Sequence, residues 1–127
     1  MTSSNIERGR FHPSFVASAD ITEGYLAVKL TGEGKVATAD ADDKVIGILS
    51  ERGAKKTGEA VGVLTEGNVV ATYGATITAG QALQVADGGK LIPLTTGDQV
   101  AVAFEDGVEN ETHQVKIEFN HDTDTVE

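Results

Sequence analysis

From Phe15 onward, short apolar runs alternate with clusters of Gly, Asp and Thr about every eight to twelve residues. Strands need only a few residues between such clusters, whereas a helix needs a longer apolar stripe at 3.6-residue spacing. No segment carries that stripe with caps at both ends; at most one helical turn fits, near Asp40-Ala41-Asp42-Asp43. The pattern predicts strands over 15–19, 25–31, 36–39, 45–50, 60–66, 69–73, 82–86, 91–94, 100–105 and 114–119. Val115, Ile117 and Phe119 should face one side of the last strand, with Lys116 and Glu118 on the other. Val61 and Val63 mark one face of an earlier strand, with Ala60 or Leu64 on the opposite one. Gly32-Glu33-Gly34 and Asp87-Gly88-Gly89 supply the positive-φ positions that tight hairpins require.

The pattern also repeats. Ile21-Thr22-Glu23-Gly24 recurs as Ile77-Thr78-Ala79-Gly80, and Gly34-Lys35-Val36 recurs as Gly89-Lys90-Leu91. Asp43-Lys44-Val45 matches Asp98-Gln99-Val100, and Val61 and Val63 match Val115 and Ile117. The offset drifts from 56 to 54 along the chain, and the changes fall in turns, where length is cheap to alter. Four matches in one order argue for a duplicated unit. Each copy reads turn, strand, hairpin, strand, acidic turn, strand, loop, strand.

With 127 residues the chain suits one domain, built from repeat halves at about 21–67 and 77–120. Aromatics are 5% and Trp is absent, so a core of Val, Ile, Leu and Ala must be thin, as in a sandwich or barrel of half-buried strands. The expected fold is all-β: a compact β-barrel or β-sandwich of short antiparallel strands with an internal two-fold repeat. Residues 1–14 show neither period and end in Phe11-His12-Pro13, where Pro13 pushes His12 toward an extended conformation. They read as an extended N-terminal arm outside the body, and residues 121–127 as an acidic C-terminal tail.

Charge narrows the partners. The formal net charge of −10 would repel phosphate backbones and anionic lipid, so neither direct nucleic-acid nor membrane binding is expected. No run is long enough to span a bilayer, and the polar first ten residues lack the apolar region of a secretory signal, so synthesis in the cytosol is expected. The charge is uneven: eight acidic residues lie from Glu105 to Glu127 against Lys116 alone, whereas the first twelve residues hold Glu7 against Arg8 and Arg10. The start of the chain therefore reads as a contact arm.

Candidate chemistry is sparse. With no cysteine, disulfides and thiolate metal sites are excluded. His12, His113 and His121 fall in the arm, a late loop and the tail, without acid–base spacing around them, and read as rim or exposed histidines. Asp40-x-Asp42-Asp43 suggests a calcium loop, but Lys44 and Val45 follow where further oxygen ligands would be needed, so a solvated turn fits better. Asn110-Glu111-Thr112 fits a glycosylation sequon that no secretory signal supports. The glycines are scattered singly at turns, with no phosphate-binding loop. Residues 77–85 are similar to the strand leading to the modified lysine of lipoyl and biotinyl carrier domains. Lys90, however, begins a strand and has a twin in Lys35, which argues for a repeated turn residue. No catalytic residue, metal or cofactor is expected, and the chain reads as non-enzymatic.

One resemblance fits most of the chain. Thr22-Glu23-Gly24, Leu26-Ala27-Val28-Lys29-Leu30, Gly34-Lys35-Val36, Ala39-Asp40-Ala41-Asp42 and Val45-Ile46-Gly47-Ile48 follow one another as in the head-decoration, or capsid cement, proteins of tailed bacteriophages. Thr57-Gly58-Glu59-Ala60-Val61-Gly62-Val63 is similar to that family's lead into its next strand, and with the second half the resemblance spans about residues 15–120. It implies a β-tulip-like body and a structural virion protein on the outer capsid surface. Such a protein binds the phage major capsid protein of an expanded head, often as a homotrimer, and cements neighbouring capsomers against internal DNA pressure. The resemblance also implies synthesis in the host bacterial cytoplasm.

An arm of about 14 residues costs roughly 1–2 kcal/mol per residue to order, so it should fix only on a partner. Arg8 and Arg10 are then its charge partners for acidic capsid loops, and Phe11 and Phe15 its apolar anchors. The competing reading places Phe15, and Phe11 with it, at the start of the first core strand. The alternative functions are a non-capsid β binding module, of tail-fibre or carbohydrate-binding type, and the carrier domain. Carbohydrate recognition favours exposed aromatics, and only Tyr25 and Tyr73 lie outside the expected core phenylalanine positions.

Overall fold

A computed structural model of the chain describes residues 15–119; the arm at 1–14 and the tail at 121–127 lie outside the described residues. The described chain is all-β, without a helix. Its strands are β1 (Phe15–Ala17), β2 (Ala27–Gly32), β3 (Lys35–Thr38), β4 (Val45–Leu49), β5 (Ala60–Val61), β6 (Val63–Leu64), β7 (Gly67–Thr72), β8 (Ala82–Val85), β9 (Leu91–Pro93), β10 (Ala101–Ala103) and β11 (Thr112–Ile117). They form two sheets, ordered β5-β1-β3-β2-β4-β6 and β7-β11-β10-β8-β9. The pairing is antiparallel except for β1 with β3 and the single bridge from Tyr73 to Leu91, which are parallel.

The same pairings occur in both halves, at offsets between 56 and 52 where the sequence matches ran from 56 to 54. Phe15 pairs with Val61 as Val69 pairs with Val115. Ala27 and Val28 meet Ile48 and Gly47 as Ala82 and Leu83 meet Val102 and Ala101. Ile21 bridges Lys55 as Ile77 bridges Gly107. The equivalence thus reaches back to β1 and β7, two strands that the sequence matches alone did not connect.

One register differs from the sequence match. Val63 on β6 pairs with Leu49 on β4, and the corresponding partner of Ala103 is Val115, so both Val61 and Val63 correspond to Val115. In the second half β11 serves β7 and β10 with the same residues. In the first half the chain slips at Gly62, and β5 serves β1 while β6 serves β4. A Cβ at Gly62 would meet the Ser50 hydroxyl at 2.6 Å, so glycine permits the bend. Both margins of the first sheet consequently belong to one bent segment, and Tyr73 and Leu91 join the margins of the second. Each sheet curls without forming a closed barrel.

Two apolar clusters hold the body together. The smaller contains Phe15, Ile21, Leu26, Val28, Val36, Leu49, Val61 and Val63 inside the first sheet. The larger joins Ala27, Ala39, Val45 and Ile48 of the first half to Tyr73, Leu83, Leu91, Val115 and other residues of the second. Adjacent residues in β2 and β4 therefore enter different clusters: Ala27 and Ile48 the larger, Val28 and Leu49 the smaller. Burial on both faces explains the nearly continuous apolar run at Val45-Ile46-Gly47-Ile48-Leu49, where a one-faced strand would alternate.

Several local expectations are corrected. Phe15 stands in β1 at 9% exposure within the smaller cluster, so it is a core residue rather than an exposed anchor. Arg8, Arg10 and Phe11 fall outside the described residues. Asp40–Asp43 is a β-turn, not a turn of helix: the Asp43 amide donates to the Asp40 carbonyl at 3.0 Å, and Asp42 has φ of 71°. His113 belongs to β11, not to a loop, because β11 begins at Thr112. Tyr73 is fully buried, which removes it as a surface aromatic.

Candidate functional site

The two halves meet along a polar seam. The Ala27 amide donates to the Gly89 carbonyl at 2.8 Å, and the Thr72 amide donates to the Tyr25 carbonyl at 3.0 Å. The turns at Asp40 and Asp87 exchange bonds: Gly88 donates to Asp40 Oδ1 at 2.9 Å and Ala41 to Asp87 Oδ1 at 3.0 Å. The short side chain and absent Cβ of these turn residues bring the two backbones into reach of each other. The Asp-rich turn is thus a clasp between halves, and Asp43 is neutralised by Lys29 at 3.0 Å. The Asp40 amide, then Lys29, holds Asp43 below the ordinary carboxylate range. No group of side chains among the described residues is arranged to hold a metal ion.

A groove of about 620 Å³ lies on the seam, with Glu23, Tyr25 and Arg52 on one wall and Thr72, His113 and Gln114 on the other. Tyr25 is placed there by a positive φ of 59°, which ends the strand expectation at residue 25 and starts β2 at Ala27. The second wall carries a hydrogen-bonded cluster around His113. His113 Nδ1 lies 2.7 Å from Glu105 Oε1, and its Nε2 lies 2.9 Å from Glu111 Oε1. The Tyr73 ring packs against the imidazole at a centroid distance of 5.0 Å, and its hydroxyl donates to the Glu105 carbonyl at 2.7 Å. Bonds from Glu111 and then Glu105 raise the His113 pKa above its ordinary value. The same bonds, with the Gln114 amide on Glu105 and the Val108 amide on Glu111, lower both carboxylates. Burial, followed by the nearby Glu105 charge, raises the Tyr73 phenol.

This geometry limits the chemistry. The carboxylates sit at opposite nitrogens of one ring, so they cannot converge with His113 on a single ion. Neither nitrogen is open to accept a proton from a substrate, since each already faces a carboxylate. The cluster was not legible from spacing alone: Glu105, Glu111 and His113 lie within nine residues, but Tyr73 comes from another strand. Lys90 pairs with Glu23 at 3.6 Å and with the Asn110 side chain at 2.6 Å, so it too braces the seam. Asn110 stands at a turn with φ of 73°.

A second groove, of about 750 Å³, runs between the acidic turns on Asp42 and Asp98, with Gln84 and Phe119 in its lining. There the Gln84 side-chain oxygen accepts the amides of Thr95, Thr96 and Gly97. That single amide group organises the turn before Asp98, at the position where Lys29 pairs with Asp43 in the first half.

The fold defined by these pairings is a duplicated pair of curled β-sheets joined along a polar seam. It is similar to the solved structure of the head fiber gp8.5 N base in bacteriophage phi29. The TM-score is 0.66, at 14% sequence identity, over 83% of this chain and 91% of that chain. At that identity the likeness is one of fold. No family model matches the chain, and no curated protein matches it.

Proposed function

We propose that this is a non-catalytic structural protein of a phage virion that binds the outer surface of the expanded head and cements neighbouring capsomers. The observation that carries the reading is the likeness of fold, over most of both chains, to a protein of a phage head fibre. The cement-like motifs between Ile21 and Leu49 point to the same setting. They form the β2–β3 hairpin, the clasping turn at Asp40 and β4, so they act as scaffold. A clamp that binds the expanded lattice better than the unexpanded one stabilises it by mass action, with no reaction required. In this reading the major capsid protein is the partner, Arg8, Arg10 and Phe11 supply contacts, and trimerisation adds avidity.

A second reading has a specific observation behind it: the similar structure is a fibre base, so this body would seat a fibre on the head. Co-sedimentation with expanded and unexpanded phage shells lacking decoration separates the two. Cementing predicts binding to expanded shells in strong preference to unexpanded ones. Equal binding to both would favour the fibre base, and binding to neither would remove both readings.

A further inference from the structure

The two halves use the same carboxylate devices, and the second half adds one residue to them. In the first half Glu51 accepts the Gly62 amide at 3.0 Å, and Glu59 accepts the Lys56 amide at 2.8 Å to cap its turn. In the second half Glu105 accepts the Gln114 amide at 3.2 Å, and Glu111 caps its turn through the Val108 amide at 3.1 Å. Both carboxylates are therefore part of the duplicated scaffold.

His113 is not. In the first half only Val16 and Ala60 lie between the Phe15–Val61 rung and the bond from the Ala17 amide to Glu59. In the second half Val70, Ala71 and Thr72, facing Gln114, His113 and Thr112 in that order, lie between the Val69–Val115 rung and the bond from the Tyr73 amide to Glu111. Extending the ladder brings a histidine between two carboxylates, one of which otherwise holds a β11 amide and the other of which caps a turn. Its side chain is 22% exposed, and a Cβ at Gly107 would collide with the ring, so the loop is moulded to it.

We infer that His113 is a protonation-dependent clasp that fastens the 105–111 loop to β11 and so sets one wall of the seam groove. Only the imidazolium donates from both nitrogens. A neutral ring donates from one and turns a lone pair on the carboxylate at the other. Among the groups around the ring, Glu105 and Glu111 hold it directly and favour the imidazolium, Tyr73 lies against it as a neutral phenol, and Glu23 and Arg52 line the same groove with opposite charges, the first favouring and the second opposing it. Lys90 holds Glu23 to the seam. Because the folded His113 pKa is raised, the clasp is complete below the ordinary histidine value and is lost as pH rises through the raised one. The wall of the groove then gains negative charge and freedom together.

The first half serves as an internal control, since its equivalent turn has no histidine. Amide hydrogen exchange, corrected for the intrinsic pH dependence, is measured on the full chain from about pH 5.5 to pH 9, on either side of the ordinary histidine pKa of about 6.5. Protection at Val108 and Gln114 should fall several-fold relative to Lys56 and Gly62 as His113 titrates. In His113→Gln, whose amide does not titrate, the ratio should stay flat. A constant ratio in the unaltered chain would overturn the inference. So would an NMR titration of His113 at or below the ordinary value.

Discussion

The Gly89 carbonyl accepts the Ala27 amide at 2.8 Å, and this bond ties the turn between β8 and β9 of the second hairpin to the first strand of the first hairpin. Gly89 can make it because its φ of 81° turns the carbonyl inward and because no side chain intervenes. A Cβ there would meet Thr38 Cγ2 at 2.8 Å, the Ala27 carbonyl at 2.9 Å and Leu26 Cβ at 2.9 Å. Its neighbour Gly88 has φ of 86° but open space around it. Gly88→Ala should cost about 1–2 kcal/mol, the left-handed penalty alone. Gly89→Ala should cost about 2–4 kcal/mol, because packing strain at the seam is added. Urea unfolding of the two variants compares them directly; equal losses would mean that the seam yields.

Tyr73→Phe deletes the hydroxyl that donates to the Glu105 carbonyl but keeps the ring in the larger cluster. The expected loss is about 1–2 kcal/mol, one net hydrogen bond plus a partly buried carbonyl left without its donor. Protection of the Glu105–Glu111 amides should fall more than that of β8. Thermal unfolding and hydrogen exchange together check the size and the place of the effect.

Stability should decline on both sides of a mildly acidic to neutral range. Asp20, held by the Thr57 amide and hydroxyl, and Asp43, Glu105 and Glu111 all have lowered pKa values. Their contribution is present above the ordinary carboxylate range and is lost as pH falls through the lowered values. His113 acts in the opposite direction, its contribution fading as pH rises through its raised value. Melting temperature against pH should therefore pass through a maximum between the two. Asp20→Asn and Asp43→Asn should each flatten the acid limb and leave the basic limb unchanged.

Removing residues 1–14 tests the arm apart from the body. Phe15, Val16 and Ala17 carry the described pairing of β1 with β3 and β5 and stay in place, so the shortened chain should keep its far-ultraviolet spectrum and melting temperature. Shell binding should be lost. Undiminished co-sedimentation of the folded, shortened chain would assign the contacts to the body.

Much of this architecture is determined by sequence alone, because turns and alternation are local. The Gly34 and Gly89 turns, the strand over 45–49 and the buried face of Val115 and Ile117 follow from positive-φ demand and a period of two. The duplication follows from matched order. What the tertiary structure decided is how the copies differ. The slip at Gly62, the burial of Phe15 and Tyr73, and the double-faced burial of β2 and β4 depend on which sheet lies against which, and no local pattern encodes that. The histidine clasp has the same origin. Glu105, Glu111 and His113 read as separate surface residues until a lengthened ladder lays the ring between two backbone-bonded carboxylates and over a tyrosine from β7's end, where distance, not sequence order, sets the charge.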